Sequence, residues 1–226
     1  MRYEHTVPGV FLARPNRFIA RVALDGQEEI CHVKNTGRCR ELLVPGATVY
    51  LERGANPNRR TAWDLIAADK GGKLINMDAQ APNAAFGEYA RAGRFLPDTQ
   101  SVRAEVCYGD SRFDFAMEAG GRTHYVEVKG VTLEEDGVVR FPDAPTQRGV
   151  KHLKELQAAA ARGCGAHVVF VIQMAGAERF EPNDRTHPAF GQALRQAAEN
   201  GVQVHAFWCR VTPDSMNIAG ETPIRL

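Results

Sequence analysis

A chain of 226 residues with 28 Lys and Arg against 27 Asp and Glu carries a formal net charge of +1, which excludes any global electrostatic pull toward nucleic acid and leaves only local patches to provide one. Hydrophobic residues at 44% and charged residues at 24% are ordinary for a globular chain of one large or two small domains. No stretch reaches about 18 apolar residues and no apolar segment follows the basic N-terminal residues, which predicts a cytoplasmic protein with no membrane segment.

The first ~80 residues read as short strands at Gly9 to Ala13, Arg17 to Leu24, Glu28 to Val33, Ala47 to Glu52, Ala62 to Ala68 and Gly72 to Asn76. Turn-formers separate them at Pro15-Asn16, Asp25-Gly26, Pro45-Gly46 and Asn56-Pro57-Asn58. That spacing fits a small OB-like five-stranded barrel over residues 1–81. Between its strands, Asn35 to Leu42 reads as a turn leading into a short helix, with Asn35 or Thr36 as N-cap. Residues 82–226 change character. A helix over Asn83 to Gly93 is capped by Asn83, and a hairpin follows. Then come a helix over Thr146 to Arg162, an apolar strand at His167 to Ile172, a helix over His187 to Asn200 and a strand at Val202 to Arg210. This order predicts a mixed α/β layer, an α+β chain overall. The five cysteines (Cys31, Cys39, Cys107, Cys164, Cys209) include no C-x-x-C, so they are expected as small hydrophobes rather than as a disulfide or zinc framework.

The hairpin carries the chemistry. In Ser111-Arg112-Phe113-Asp114-Phe115 and Tyr125-Val126-Glu127-Val128-Lys129, polar and apolar residues alternate, and Gly120-Gly121 supplies the turn. Glu127 and Lys129 share a face. Two carboxylates and an amine at a hairpin describe a divalent-metal site with a catalytic lysine, the arrangement of the PD-(D/E)xK phosphodiesterases. The same residues equally describe an ion pair on a solvated hairpin face. In the first reading Asp114, Glu127 and the Val128 carbonyl ligate Mg²⁺ or Mn²⁺, which needs only one or two carboxylates. Lys129 then activates water or neutralises charge, and Glu88 on the preceding helix adds an outer ligand.

Thr146, or Asp143 just before it, caps the next helix, on which Arg148, Lys151 and Glu155 share a face suited to a phosphate or to closing the metal site. A solvated face with a Lys151–Glu155 pair is the alternative. His152, beside Leu153, is expected as a half-buried packing residue. In the barrel, Arg14, Arg17, Arg21, Lys34, Arg38 and Arg40 are basic candidates for backbone contacts to nucleic acid, with a plain solvated surface as the alternative and Phe11, Phe18 and Tyr50 among them expected mainly in the core.

The runs His32-Val33-Lys34-Asn35-Thr36-Gly37-Arg38, Ser111 to Phe115, Glu127-Val128-Lys129-Gly130-Val131-Thr132-Leu133, Phe141-Pro142-Asp143-Ala144 and Arg148-Gly149-Val150-Lys151-His152-Leu153 resemble, in order, the sugar fermentation stimulation protein A (SfsA) family, from about Gly9 to Leu226. The resemblance implies an N-terminal OB-like domain and a C-terminal PD-(D/E)xK nuclease-like domain. It also implies DNA as the partner and a role in regulating sugar (maltose) utilisation genes, and it leaves a homodimer open. By motif the triad carries over to Asp114, Glu127 and Lys129. DNA binding by a regulator ranks first, a Mg²⁺-dependent phosphodiesterase on DNA or RNA is its alternative, and a sugar-binding module is third.

Overall fold

The computed structural model of the chain describes residues 1–35, 37–54, 56, 58–109 and 111–226. Six strands come first: β1 (Thr6–Asn16), β2 (Ile19–Leu24), β3 (Gln27–Val33), β4 (Thr48–Arg53), β5 (Trp63–Lys70) and β6 (Lys73–Asn76). They lie in the order β3-β2-β1-β4-β5-β6, and an additional parallel pairing of β3 with β5 closes the first five into the expected OB-like barrel. Asp25 and Gly26 join β2 to β3 with φ of 50° and 81°, the left-handed pair that a tight hairpin turn requires. Phe11, Val22, Cys31, Val49, Leu51 and Leu65 fill the barrel, each contributing roughly 1.5–3 kcal/mol if scored as a large apolar side chain.

The short helix expected over Asn35 to Leu42 does not form. Cys39 stands at φ 43°, which breaks a right-handed run, and the amides of Leu42 and Leu43 both return to its carbonyl. Asn35 instead makes an Asx turn, its Oδ1 accepting the Gly37 N–H at 2.7 Å. Thr36, the other expected cap, and Pro57 of an expected turn lie outside the described residues.

The second half holds α1 (Ala81–Arg91), β7 (Thr99–Tyr108), β8 (Ser111–Ala119), β9 (Arg122–Val131), β10 (Leu133–Glu135), β11 (Val138–Phe141), α2 (Gln147–Ala161), β12 (Gly165–Ile172), β13 (Arg179–Pro182), α3 (Pro188–Glu199), β14 (Gln203–Thr212) and β15 (Ser215–Glu221). Its main sheet runs β15-β14-β12-β9-β8-β7, parallel where β12 meets β9 and β14 and antiparallel toward both edges. One face is covered by α1, whose Phe86 joins Phe115, Val126 and Val169. The other is covered by α2 and α3 through Leu153, Leu156, Phe190 and Leu194, over Val168, Phe170 and Ile172. With both faces covered, all eight residues of β12 are buried, which explains its continuous apolar sequence. A smaller sheet, β10-β11-β13, lies beside it. The two halves therefore form an α+β protein.

Buried polar contacts fix the halves to each other. Gln173 donates to the carbonyls of Asn76 and Asp78, the latter residue also held within the first half by Lys34 at 2.6 Å, and Glu134 takes both Lys70 and Lys73 at 2.9 Å. Cys31, Cys39 and Cys209 are buried as expected, whereas Cys107 is exposed. Among the described residues no helix is long and apolar enough to cross a membrane.

Candidate metal centre

The β8–β9 ladder runs from Ala119 opposite Arg122 to Phe115 opposite Val126. The same register would next place Asp114 opposite Glu127, and there the ladder stops. The Asp114 carboxylate occupies the opening: Oδ2 accepts the Val128 N–H at 2.8 Å, and Oδ1 accepts Asn83 Nδ2 of α1 at 2.9 Å. Glu127 is only 3% exposed. Its Oε1 accepts from both the Lys129 ammonium and His152, while Oε2 is buried with no partner among the described residues. His152 Nε2 accepts from Arg148 Nε at 3.3 Å, so its Nδ1 carries the proton given to Glu127. The His152 ring packs edge-on against Phe113, centroids 6.5 Å apart.

The two carboxylates respond differently to this setting. Burial pushes the Asp114 pKa up, the nearby Glu127 charge adds to that, and the bonds from Val128 and Asn83 only partly oppose it. Burial pushes Glu127 up as well, but the hydrogen bonds from His152 and Lys129 outweigh it and hold Glu127 below the usual carboxylate range. Two carboxylates face one ammonium, so the cluster is one positive charge short. Its free donors are hard oxygens, which suit Mg²⁺, Mn²⁺ or Ca²⁺ rather than a soft metal. Among the described residues no three or more His, Cys, Asp or Glu side chains are grouped for a metal, and an ion of the magnesium type needs no more than a carboxylate pair.

The structure thus brings Asp114, Glu127 and Lys129 together, with Val128 joining through its N–H. Glu88 is a correction. Its side chain is 59% exposed and its carboxylate meets the Met1 α-ammonium at 2.6 Å, away from the acidic pair. Asn83, expected as a helix cap, takes the α1 contact to Asp114 instead; the N-cap is Gln80, with no side-chain bond. Arg14 is a second correction: its guanidinium donates to the carbonyls of Arg17, Asn35, Gly37 and Arg38, so it braces the barrel rather than facing a ligand. Arg17 lies over the exposed Phe18 ring at 4.6 Å, and Arg38 and Arg40 are exposed. Phe11 is core as expected, but Phe18 is 44% exposed.

On α2, Thr146 caps the first turn by accepting the Gly149 N–H at 3.0 Å. Lys151 pairs with Glu155 at 3.5 Å while remaining 57% exposed. Sequence reasoning missed the role of His152. A signal existed, since His152 falls in the buried stripe of Gly149, Leu153, Leu156 and Ala159, where a packing residue needs no ring nitrogens.

The fold and the site define a class: a two-domain α+β protein in which an OB-like barrel is joined to a mixed sheet with a carboxylate pair and a lysine on adjacent strands. Two family models match, one described as the SfsA N-terminal OB domain over residues 12–77 and one as the sugar fermentation stimulation protein RE domain over residues 80–215. The chain belongs to the sugar fermentation stimulation protein (SfsA) family. A sugar fermentation stimulation protein homolog of Desulfitobacterium hafniense (strain Y51) is 54% identical over 226 residues, covering 100% of this chain and 99% of that one. The homolog of Clostridium beijerinckii is 51% identical over 218 residues, with 96% of each chain covered. A solved structure of Pyrococcus furiosus SfsA in complex with Ca²⁺ superposes with a TM-score of 0.91 at 27% identity, covering 100% of this chain and 98% of that one.

Proposed function

We propose that the protein binds nucleic acid, DNA first, and that Asp114 and Glu127 hold a divalent cation, Mg²⁺ or Mn²⁺, in a phosphodiesterase centre of PD-(D/E)xK type. The observation that carries this is the unpartnered Oε2 of a nearly fully buried Glu127, beside a second carboxylate that shares the single Lys129 ammonium with it. A cation there relieves both costs. The Ca²⁺ complex of the Pyrococcus furiosus relative supports the donor chemistry, since Ca²⁺ is a hard ion of the same charge.

Asp114 and Glu127 Oε2 are the ligating groups, and the Val128 carbonyl leaves β9 on the same edge as the N–H that Asp114 accepts. A bound divalent ion supplies an electrophile for the phosphate and a more acidic water. Lys129 Nζ, already at Glu127 Oε1, donates to a phosphate oxygen and offsets its charge. His152 holds Glu127 through Oε1 and so keeps Oε2 turned to the ligand side, while Asn83 and the Val128 N–H fix Asp114. Arg148 and Lys151 on α2, with Arg17, Arg38 and Arg40 on the barrel, are the groups offered to the backbone phosphates.

One observation favours DNA binding without cleavage, as a regulator of sugar (maltose) genes would use it. Lys129 and His152 both donate to Glu127 Oε1, so this part of the site is held by the protein's own donors. The readings separate on a panel of single-stranded, duplex and branched nucleic acids incubated with Mg²⁺ or Mn²⁺. Metal-dependent cleavage that disappears in an Asp114→Ala/Lys129→Ala double variant is expected. Equal products from both proteins reject the phosphodiesterase, and DNA affinity falling with salt at a log–log slope of about −0.9 per phosphate contact then identifies the binder. A flat salt dependence rejects that too.

A further inference from the structure

A cavity of 310 Å³ lies where the barrel meets the C-terminal domain. Its floor, Gly130 to Leu133, continues directly from the strand that carries Glu127 and Lys129. One wall is the barrel turn at Asn35 and Gly37, and the other is the run Phe141 to Thr146 that leads into α2. The same α2 presents His152 to Glu127, and the cavity also reaches Ala79, two residues ahead of α1. The cavity therefore shares β9 with the acidic pair, its floor beginning at Gly130, the residue after Lys129.

Its dimensions restrict the occupant. A Cβ built on Gly37 would stand 2.4 Å from Asp143 Oδ2, and one on Gly130 would stand 2.5 Å from Gln173 Oε1 and 2.7 Å from Pro82 Cγ. Those two glycines let the walls close on each other. A volume at the low end of the range for ligand clefts, about 300–1,000 Å³, admits one base with its sugar and not a base pair inside a helix. The chemistry narrows it further. Val131, Phe141, Pro142 and Ala144 offer apolar surface, and Asp143 brings a carboxylate. An ionised carboxylate only accepts hydrogen bonds, so it suits a base edge with N–H groups side by side. Guanine has that edge, N1–H next to the N2 amino group, one donor for each oxygen. Thymine has a single N–H between two carbonyls that repel a carboxylate. In a duplex these donors are already spent on the opposite strand, and only an unpaired base displays them.

We infer that the cleft receives one unpaired nucleotide, guanine above all, along the same strand as Glu127, so that the protein acts on single-stranded or locally opened nucleic acid. The inference rests on the nucleic-acid reading above and adds to it a substrate class and a selecting residue, Asp143. It is tested on the full chain by fluorescence anisotropy in EDTA with three labelled probes of equal length: a thymine strand, the same strand carrying one guanine, and that guanine strand annealed to its complement. The guanine strand is expected to bind about tenfold tighter than the thymine strand, as a bidentate contact allows, and Asp143→Asn is expected to abolish the difference. Ala144→Trp, which fills the cavity, is expected to bring the guanine strand down to the affinity of the thymine strand and leave duplex affinity unchanged. Thermal melting of both variants verifies that they fold. A guanine preference that survives Asp143→Asn, or a duplex bound as tightly as the single strand, overturns the inference and leaves nucleic-acid binding standing. Failure of every probe to bind overturns both.

Discussion

Strand β9 supports two buried polar clusters on opposite faces, and they solve the same problem in different ways. On the α2 face, Glu127 keeps a charge by holding Lys129 and His152 on one oxygen. On the α1 face, His124 begins a file of imidazoles that crosses neighbouring strands: its Nδ1 lies 2.9 Å from His167 Nε2, and His167 Nδ1 lies 3.1 Å from His205 Nε2. The Phe95 ring closes over His167 and His205, centroids 5.2 and 5.0 Å away. Each contact in the file needs one N–H and one lone pair, so neutral imidazoles satisfy one another. Burial enforces that neutrality, pushing His167 down to about 3 and His205 to about 4. Among the described residues no buried nitrogen of the file lacks a partner, whereas Glu127 keeps one unpartnered oxygen. A closed neutral file is architecture. A charged cluster with an unpartnered oxygen leaves an acceptor unmet.

Removing the charge that anchors the first cluster has the largest expected effect. Glu127→Ala strands Lys129 and His152 in a buried setting and should cost about 3–5 kcal/mol in urea unfolding; a loss below about 1 kcal/mol would mean the cluster is not electrostatically closed around Glu127. The file should appear next, as an acid sensitivity. His167 and His205 titrate lower when folded than when unfolded, so below about pH 6.5 the unfolded chain binds protons that the native chain refuses, and stability falls as pH falls. The loss should reach about 3 kcal/mol between pH 6.5 and 5, shared by the two rings, and be about halved by His167→Phe; an unchanged slope in thermal melts across that window assigns it elsewhere. A separate loss should begin below about pH 4.5. Burial pushes Glu134 up, yet the bonds from Lys70 and Lys73 hold it down to about 2, so its stabilisation disappears as acid protonates it and Lys70→Ala/Lys73→Ala should erase that limb. Thr146→Ala, which uncaps the helix that carries His152, should cost about 1 kcal/mol. Lys151→Ala sets the scale of an exposed pair on the same helix, at no more than about 0.5 kcal/mol.

Much of the frame was legible because strong periodicity accompanies two-sided burial. The alternation through Tyr125 to Lys129, the stripe on α2 and the apolar run of β12 each match one face or both faces of the core, whereas Phe113 and Phe115, which alternation puts on one side, pack into the α2-side and α1-side cores respectively. β7 lies at the sheet edge with a largely exposed pattern over Thr99–Tyr108, so it carries no alternation to read. β10, β11 and β13 are three or four residues long, too short for a period to emerge. At the site, the acidic pair and the lysine were legible from strand spacing. The α1 contact was not, because identity and phase disagree: Glu88 is the acid, but it lies five residues beyond Asn83, about 140° around the helix, so the two cannot both face Asp114. Arg14 was misread for a related reason, since sequence gives a charge without saying whether backbone carbonyls of the same domain already consume its donors.

The most direct test of the open cluster is isothermal titration of Mn²⁺ into the purified chain beside Asp114→Asn/Glu127→Gln. One divalent ion bound by the wild-type protein and none by the variant is the expected result. A wild-type chain that takes up no ion, or a variant that binds it equally well, contradicts a metal centre at Asp114 and Glu127.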